Sequence, residues 1–132
     1  MNNSRLLIDL YLQNQRSEHE ILANLEFIIG LKIESVNFPC NESLLFVLLM
    51  EYSQGFKQGL SIMWSDDLNI TLDGKSIAQK LACALNVSIL FDSSLFEDSS
   101  ANNNDKWFLV KSNGMLRQVD IAILDDGIDI LP

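Results

Sequence analysis

Leu6, Leu7, Leu10 and Tyr11 recur at three- and four-residue spacing, the rhythm of a helix, and predict one over residues 4–14. The next segment, Glu18 to Ile29, carries Ile21, Leu22, Leu25, Ile28 and Ile29 at the same rhythm. Ser17 and Glu20 stand before it in the positions of a capping box, where a hydroxyl and a carboxylate satisfy free amides. Gly30 suits a left-handed stop. "LKIESVNF" alternates less cleanly and predicts a short strand, punctuated by Pro39.

Beyond Gly55 the rhythm changes to two. Phe56, Gln58, Leu60, Ile62 and Trp64 share one face, and Lys57, Gly59, Ser61, Met63 and Ser65 the other, as in a half-buried strand. Leu44 to Tyr52 is apolar almost throughout, which fits a buried strand or a helix capped by Asn41 and stopped at Gly55. "YSQGF" suits a hairpin turn, which favours the strand. "LDGKSIAQKLACALN" returns to helical spacing, with Asp73 as cap, Ile77, Leu81, Ala84 and Leu85 as the apolar face, and Cys83 as a small core residue. "VSILFDS" reads as a strand. Residues 93–105 form a long acidic, Asn/Ser-rich loop. "KWFLVKSNGMLRQVDIAIL" then predicts a second hairpin turning at Asn113-Gly114. The expected class is α+β: one domain over residues 1–132, an antiparallel sheet of hairpins with two N-terminal helices and one mid-chain helix packed on it.

Composition adds that this chain can fill a core unaided, since 48% of its residues are hydrophobic. Charge changes the picture more. Eighteen acids against nine Lys and Arg leave a net charge of −9. That balance argues against nucleic acid and against an anionic membrane, and it favours a basic protein partner. Eight acids and three bases fall in residues 91–132, so the excess gathers toward the C-terminal end. The N-terminal segment lacks the long apolar stretch of a signal peptide, and a cytoplasmic location is expected.

Catalytic chemistry finds little to stand on. "DGKS" at 73–76 has Asn69 where a phosphate loop needs its first glycine, so a helix start is the better reading. "DDGID" has Ala122 and Leu124 where a calcium loop needs oxygen ligands. His19 is the chain's one histidine, and Cys40 and Cys83 form no metal pattern. The expectation is no enzyme, no cofactor and no metal. The candidate residues are therefore for binding: Asp66 and Asp67 beside Trp64, Glu97 and Asp98 in the long loop, and Asp125, Asp126 and Asp129 near the end. For Trp64 an exposed anchor competes with ordinary core packing, which has the better odds.

The layout from Leu44 to Ile121 resembles small bacterial immunity proteins of contact-dependent growth inhibition and other polymorphic toxin systems. The residues that carry the resemblance are "YSQGF" in the first hairpin, "SIAQKLACALNVSILFDS" as helix then strand, and "KWFLVKSNGMLRQVDI" as a Trp-led hairpin. The resemblance implies a tightly bound toxin domain, often a basic nuclease, whose active site is covered by acidic residues. No family residue transfers position by position. Secretion chaperones are also similar in size, charge and helix–sheet mixture, and would imply a homodimer gripping an effector segment. Monomer or weak dimer is the expected state for the immunity reading.

Overall fold

A computed structural model describes residues 7–35, 45–64, 72–92 and 106–131. The described chain is α+β. It runs β1 (Leu7–Leu12), α1 (Glu18–Ile29), β2 (Glu34–Ser35), β3 (Leu45–Glu51), β4 (Gln54–Gly55), β5 (Gln58–Trp64), α2 (Gly74–Leu85), β6 (Ile89–Asp92), β7 (Trp107–Val110), β8 (Leu116–Val119), β9 (Ile121–Leu124) and β10 (Gly127–Ile130). Two sheets form. The larger has seven strands in the order β2-β3-β5-β1-β6-β7-β8, and the smaller has three in the order β4-β10-β9. Pairing is mainly antiparallel, with β2 on β3 and β4 on β10 as parallel exceptions.

The predicted first helix is a strand, so the described residues hold two helices rather than three. Its apolar positions satisfy two rhythms at once. Ile8, Leu10 and Leu12 alternate at period two, and all three are buried. The strand lies between β5 and β6, antiparallel to both, where tertiary pairing overrides the local helical spacing.

The helical predictions for the other two segments hold, with changes in facing. Ser17 caps α1 by accepting the Glu20 amide at 3.1 Å, and Gly30 ends it at φ +85°. Asp73 caps α2 by accepting the Ser76 amide, so "DGKS" is a helix start. Ala78 and Ala82 face the core of α2, while Ala84 and Cys83 are exposed, contrary to expectation. The Arg16 guanidinium donates to the carbonyls of Leu85 (3.0 Å) and Asn86 (3.2 Å), placing a cation on the free carbonyl end of α2.

Both helices lie on one face of the large sheet. Ile21 and Leu25 of α1 and Ile77, Ala78, Leu81 and Ala82 of α2 join Ile8, Leu10, Leu12, Leu45, Val47, Leu60, Ile62, Ile89, Phe91 and Val110 in the main core. The Leu45–Glu51 run is the strand favoured by the hairpin reading, and it pairs along its whole length with β5. On its second face β5 is more shielded than a half-buried strand, because its residues there are small and lie beneath neighbouring side chains: Gly59 sits under the Tyr52 ring, and Ser61, which donates to Asp9, is 7% exposed.

The C-terminal segment corrects a second expectation. The Asn113-Gly114 turn does join β7 to β8, with Gly114 at φ +91°. The hairpin stops at Val119, however. After Asp120 the chain enters β9, which pairs with β10 in the small sheet. Leu131 donates to the Asp120 carbonyl at 2.8 Å and closes that corner. The small sheet covers part of the second face of the large one. Phe56 and Ile128 meet Leu90, Leu109 and Val119 there in a separate buried cluster.

Candidate partner-binding surface

Strand alternation fixes what the second face of the large sheet presents. Register sets Leu48 opposite Ser61, Ser61 opposite Asp9, and Asp92 opposite Trp107. Tyr11 pairs with Leu90, and continuing that register by two residues brings Asp9 alongside Asp92. One row across the sheet thus runs Leu48, Ser61, Asp9, Asp92, Trp107. The next row carries Met50, Gly59 and Tyr11. None of these seven side-chain-bearing residues other than Ser61 is buried: Asp9 is exposed and Leu48, Met50, Tyr11, Asp92 and Trp107 are half-buried.

Three aromatic rings form a line on this face. Tyr11 stands in the middle, its centroid 6.2 Å from Tyr52 and 6.0 Å from Trp107, with interplanar tilts of 37° and 51°. Such offset, tilted pairs are favourable arrangements for rings. Gly59 makes the seat for Tyr52, because a β-carbon at Gly59 would come within 2.9 Å of the Tyr52 ring. The Tyr52 hydroxyl in turn donates to Met50 Sδ at 3.6 Å. Tyr11 and Trp107 rest at their lower edge against the Phe56–Ile128 cluster.

Carboxylates border the rings. Asp9 Oδ1 accepts the Ser61 hydroxyl at 2.6 Å, which fixes the side chain on the face. Asp126 Oδ2 accepts both the Ser53 hydroxyl (2.7 Å) and the Ser53 amide (2.9 Å), and these bonds hold its carboxyl below the usual range. They also seat the β9–β10 hairpin beside Tyr52. Both phenols titrate above their ordinary value. For Tyr11 the causes are burial first, then Tyr52, Asp9 and Asp92; for Tyr52, burial first, then Asp9 and Asp126. Apart from the coupling between the two phenols themselves, the charges that push them are carboxylates, so this face carries a negative field.

The candidate residues read from sequence scatter relative to this face. Asp66, Asp67, Glu97 and Asp98, together with the acidic loop at 93–105, lie outside the described residues. Trp64 is 8% exposed and packs in the helix-side core, as its parity with Leu60 and Ile62 dictates; it is no exposed anchor. Asp125, Asp126 and Asp129 are exposed on the β9–β10 hairpin, but their roles differ. Asp126 holds the hairpin in place, and Asp129 accepts the Ile130 amide at 2.8 Å. Asp9, Tyr11, Tyr52, Asp92 and Trp107 were missed as site residues. A period-two reading of Leu7–Leu12 would have put Asp9 and Tyr11 on one strand face.

Other surface features are self-satisfied or bare. A cleft beside the start of α1 contains buried Gln58, whose amide oxygen accepts the Arg16 amide at 2.9 Å and whose amide nitrogen donates to the Arg16 carbonyl at 3.1 Å. Among the described residues there is no cluster of three or more His, Cys, Asp or Glu able to hold a metal ion. No described helix is long and apolar enough to cross a membrane. Comparison of the chain with protein-family models, curated proteins and solved structures gives no match.

Proposed function

We propose that this chain is an immunity protein: a binding protein without catalysis that neutralises a basic bacterial toxin domain, such as a nuclease, by covering its active site. The observation that carries the reading is the aromatic row of Tyr11, Tyr52 and Trp107 bordered by Asp9, Asp92 and Asp126 on a sheet face that helices do not cover. Half-buried aromatics surrounded by charge are the usual composition of a binding hot spot. A carboxylate border on a chain of net charge −9 suits a basic partner, because complementary fields raise the encounter rate and reject acidic competitors. Asp125 and Asp129 extend the same negative charge onto the neighbouring hairpin.

An immunity gene follows its toxin gene, so the test uses the toxin domain encoded next to this chain. Co-expression is expected to restore growth, and the purified pair to associate faster at low salt than at high salt. Replacing Asp9, Asp125 and Asp129 together by Asn should leave the melt near that of the parent and slow association roughly tenfold or more at low salt. Protection and binding equal to the parent at physiological salt would refute the acidic-surface reading. A stable homodimer gripping an extended segment would favour the secretion-chaperone class instead.

A further inference from the structure

We propose that the Tyr11–Tyr52–Trp107 row receives the guanidinium of a single arginine side chain from the partner, held between the rings and the Asp9 carboxylate. This deepens the reading of the face as a surface for a basic protein and rests on it. Three features on the face select the occupant. A cation is attracted to an aromatic face within about 6 Å of the ring centroid, and with centroids 6.0 and 6.2 Å apart a group lying over the junction of two rings comes within that reach of both. Carboxylates on three separate elements act at the rings: Asp9 of β1, Asp92 of β6 and Asp126 of the β9–β10 turn. Asp9 has one oxygen fixed by Ser61, which orients the carboxylate for a partner above the sheet.

Arginine fits better than lysine. Its planar guanidinium stacks on rings and meets a carboxylate with two parallel N–H donors, whereas the ammonium is compact and strongly hydrated. A purely apolar occupant would leave Asp9 beside it desolvated without a compensating charge, which is unfavourable. The negative field around the rings therefore selects for charge as well as for flat shape.

The experiment needs no toxin. Acetylated, amidated Arg-Gly-Arg is titrated into the full chain and followed by two-dimensional NMR, with Lys-Gly-Lys and citrulline-Gly-citrulline in parallel; citrulline keeps the shape of arginine without its charge. Shifts are expected at Asp9, Tyr11, Tyr52 and the Trp107 indole, with the arginine peptide binding several-fold tighter than the lysine peptide and tenfold or more tighter than the citrulline peptide. Tyr52→Leu should weaken arginine binding roughly three- to tenfold, and Tyr52→Phe, which keeps the ring, should not. Gly59→Ala gives an independent variant: the new methyl displaces the Tyr52 ring from its seat and should weaken binding to a similar degree while the strand stays paired. Equal binding of arginine and citrulline peptides, shifts confined to the Asp125–Asp129 hairpin, or a Tyr52→Leu variant that binds like the parent would each overturn the proposal. Arginine seated on the row in a chain that gives no toxin protection would sink the immunity reading and leave this inference standing. Protection without arginine binding would do the reverse.

Discussion

Along β1, Ile8, Leu10 and Leu12 are at most 1% exposed, while Leu7, Asp9 and Tyr11 on the same six-residue strand stay exposed or half-buried. The difference belongs to the two faces of the large sheet. One face meets α1 and α2, and its buried side chains are apolar apart from Gln58, whose amide is satisfied by the Arg16 backbone. The other meets only the small sheet, which shelters Leu90, Leu109 and Val119 and stops short of the Asp9 row. No carboxylate is buried among the described residues, whereas Asp9 and Asp92 stand on the open part of the second face. The comparison separates residues that hold the fold from residues that are available to a partner. Alternate positions on a single strand belong to different categories.

The largest expected effect tests that separation directly. Leu10→Ala removes a side chain that is wholly buried between β5 and β6 under the helices. It should cost about 2–5 kcal/mol, because the packed surroundings cannot collapse into the cavity. Leu7→Ala, three positions earlier on the other face and 37% exposed, should cost under about 1 kcal/mol. Urea melts of the two variants measure the contrast. Similar losses would mean that the second face is as tightly packed as the first, and the asymmetry would be wrong.

Gly55→Ala asks whether the small sheet is a separable cover. Gly55 sits at φ +68°, and a β-carbon there would run into the backbone carbonyl of Ile128 in the neighbouring strand. Backbone strain of this kind costs roughly 1–3 kcal/mol, and the clash adds to it. The expected readout is local. The Phe56 amide, which donates to Ile128 at 2.8 Å, and the amides of β9 and β10 should lose hydrogen-exchange protection before those of β1 and β5. Uniform loss across both sheets would show one cooperative unit in place of a body and its cover.

The helix side was readable from the sequence because its signals are local. Ser17, Gly30 and Asp73 are caps with their own chemistry, and Asn113-Gly114 is a turn by backbone geometry alone. The first strand was misread because Leu7, Leu10 and Tyr11 also satisfy helical spacing, and only the neighbours β5 and β6 decide between the rhythms. The turn from Leu124 to Gly127 was weighed only as a calcium loop and an acidic binding segment, whereas it closes a hairpin whose partner, Gln54–Gly55, lies far away in sequence. The candidate surface was the least legible part. Tyr11, Tyr52 and Trp107 become neighbours only when three segments meet across the sheet, and no spacing along the chain records that.

The smallest expected effect is optical, and it sharpens the picture of the open face. The chain has two tyrosines, Tyr11 and Tyr52, and both belong to the aromatic row, so the whole phenolate absorbance reports this face. Burial first, then Tyr52 and nearby carboxylates for Tyr11 and nearby carboxylates for Tyr52, raise both phenols above their ordinary value of about 10. Linkage gives the sign. A raised phenol pKa contributes stability that is fully present below the unfolded value and is lost as pH rises through the folded one. The native chain should therefore titrate at higher pH than the same chain in concentrated urea, and its melt should fall modestly on the alkaline side. Asp9 acts on both phenols, so Asp9→Asn should move both titrations back toward the unfolded value while the amide oxygen still accepts the Ser61 hydroxyl. Asp126→Asn should lower the Tyr52 titration directly and reach Tyr11 only through its coupling to Tyr52, since Asp126 acts on Tyr52 alone of the two. A native titration that coincides with the denatured one, or an Asp9→Asn variant that shifts neither phenol, would remove the negative field from the aromatic row and with it the reason to expect a cation there.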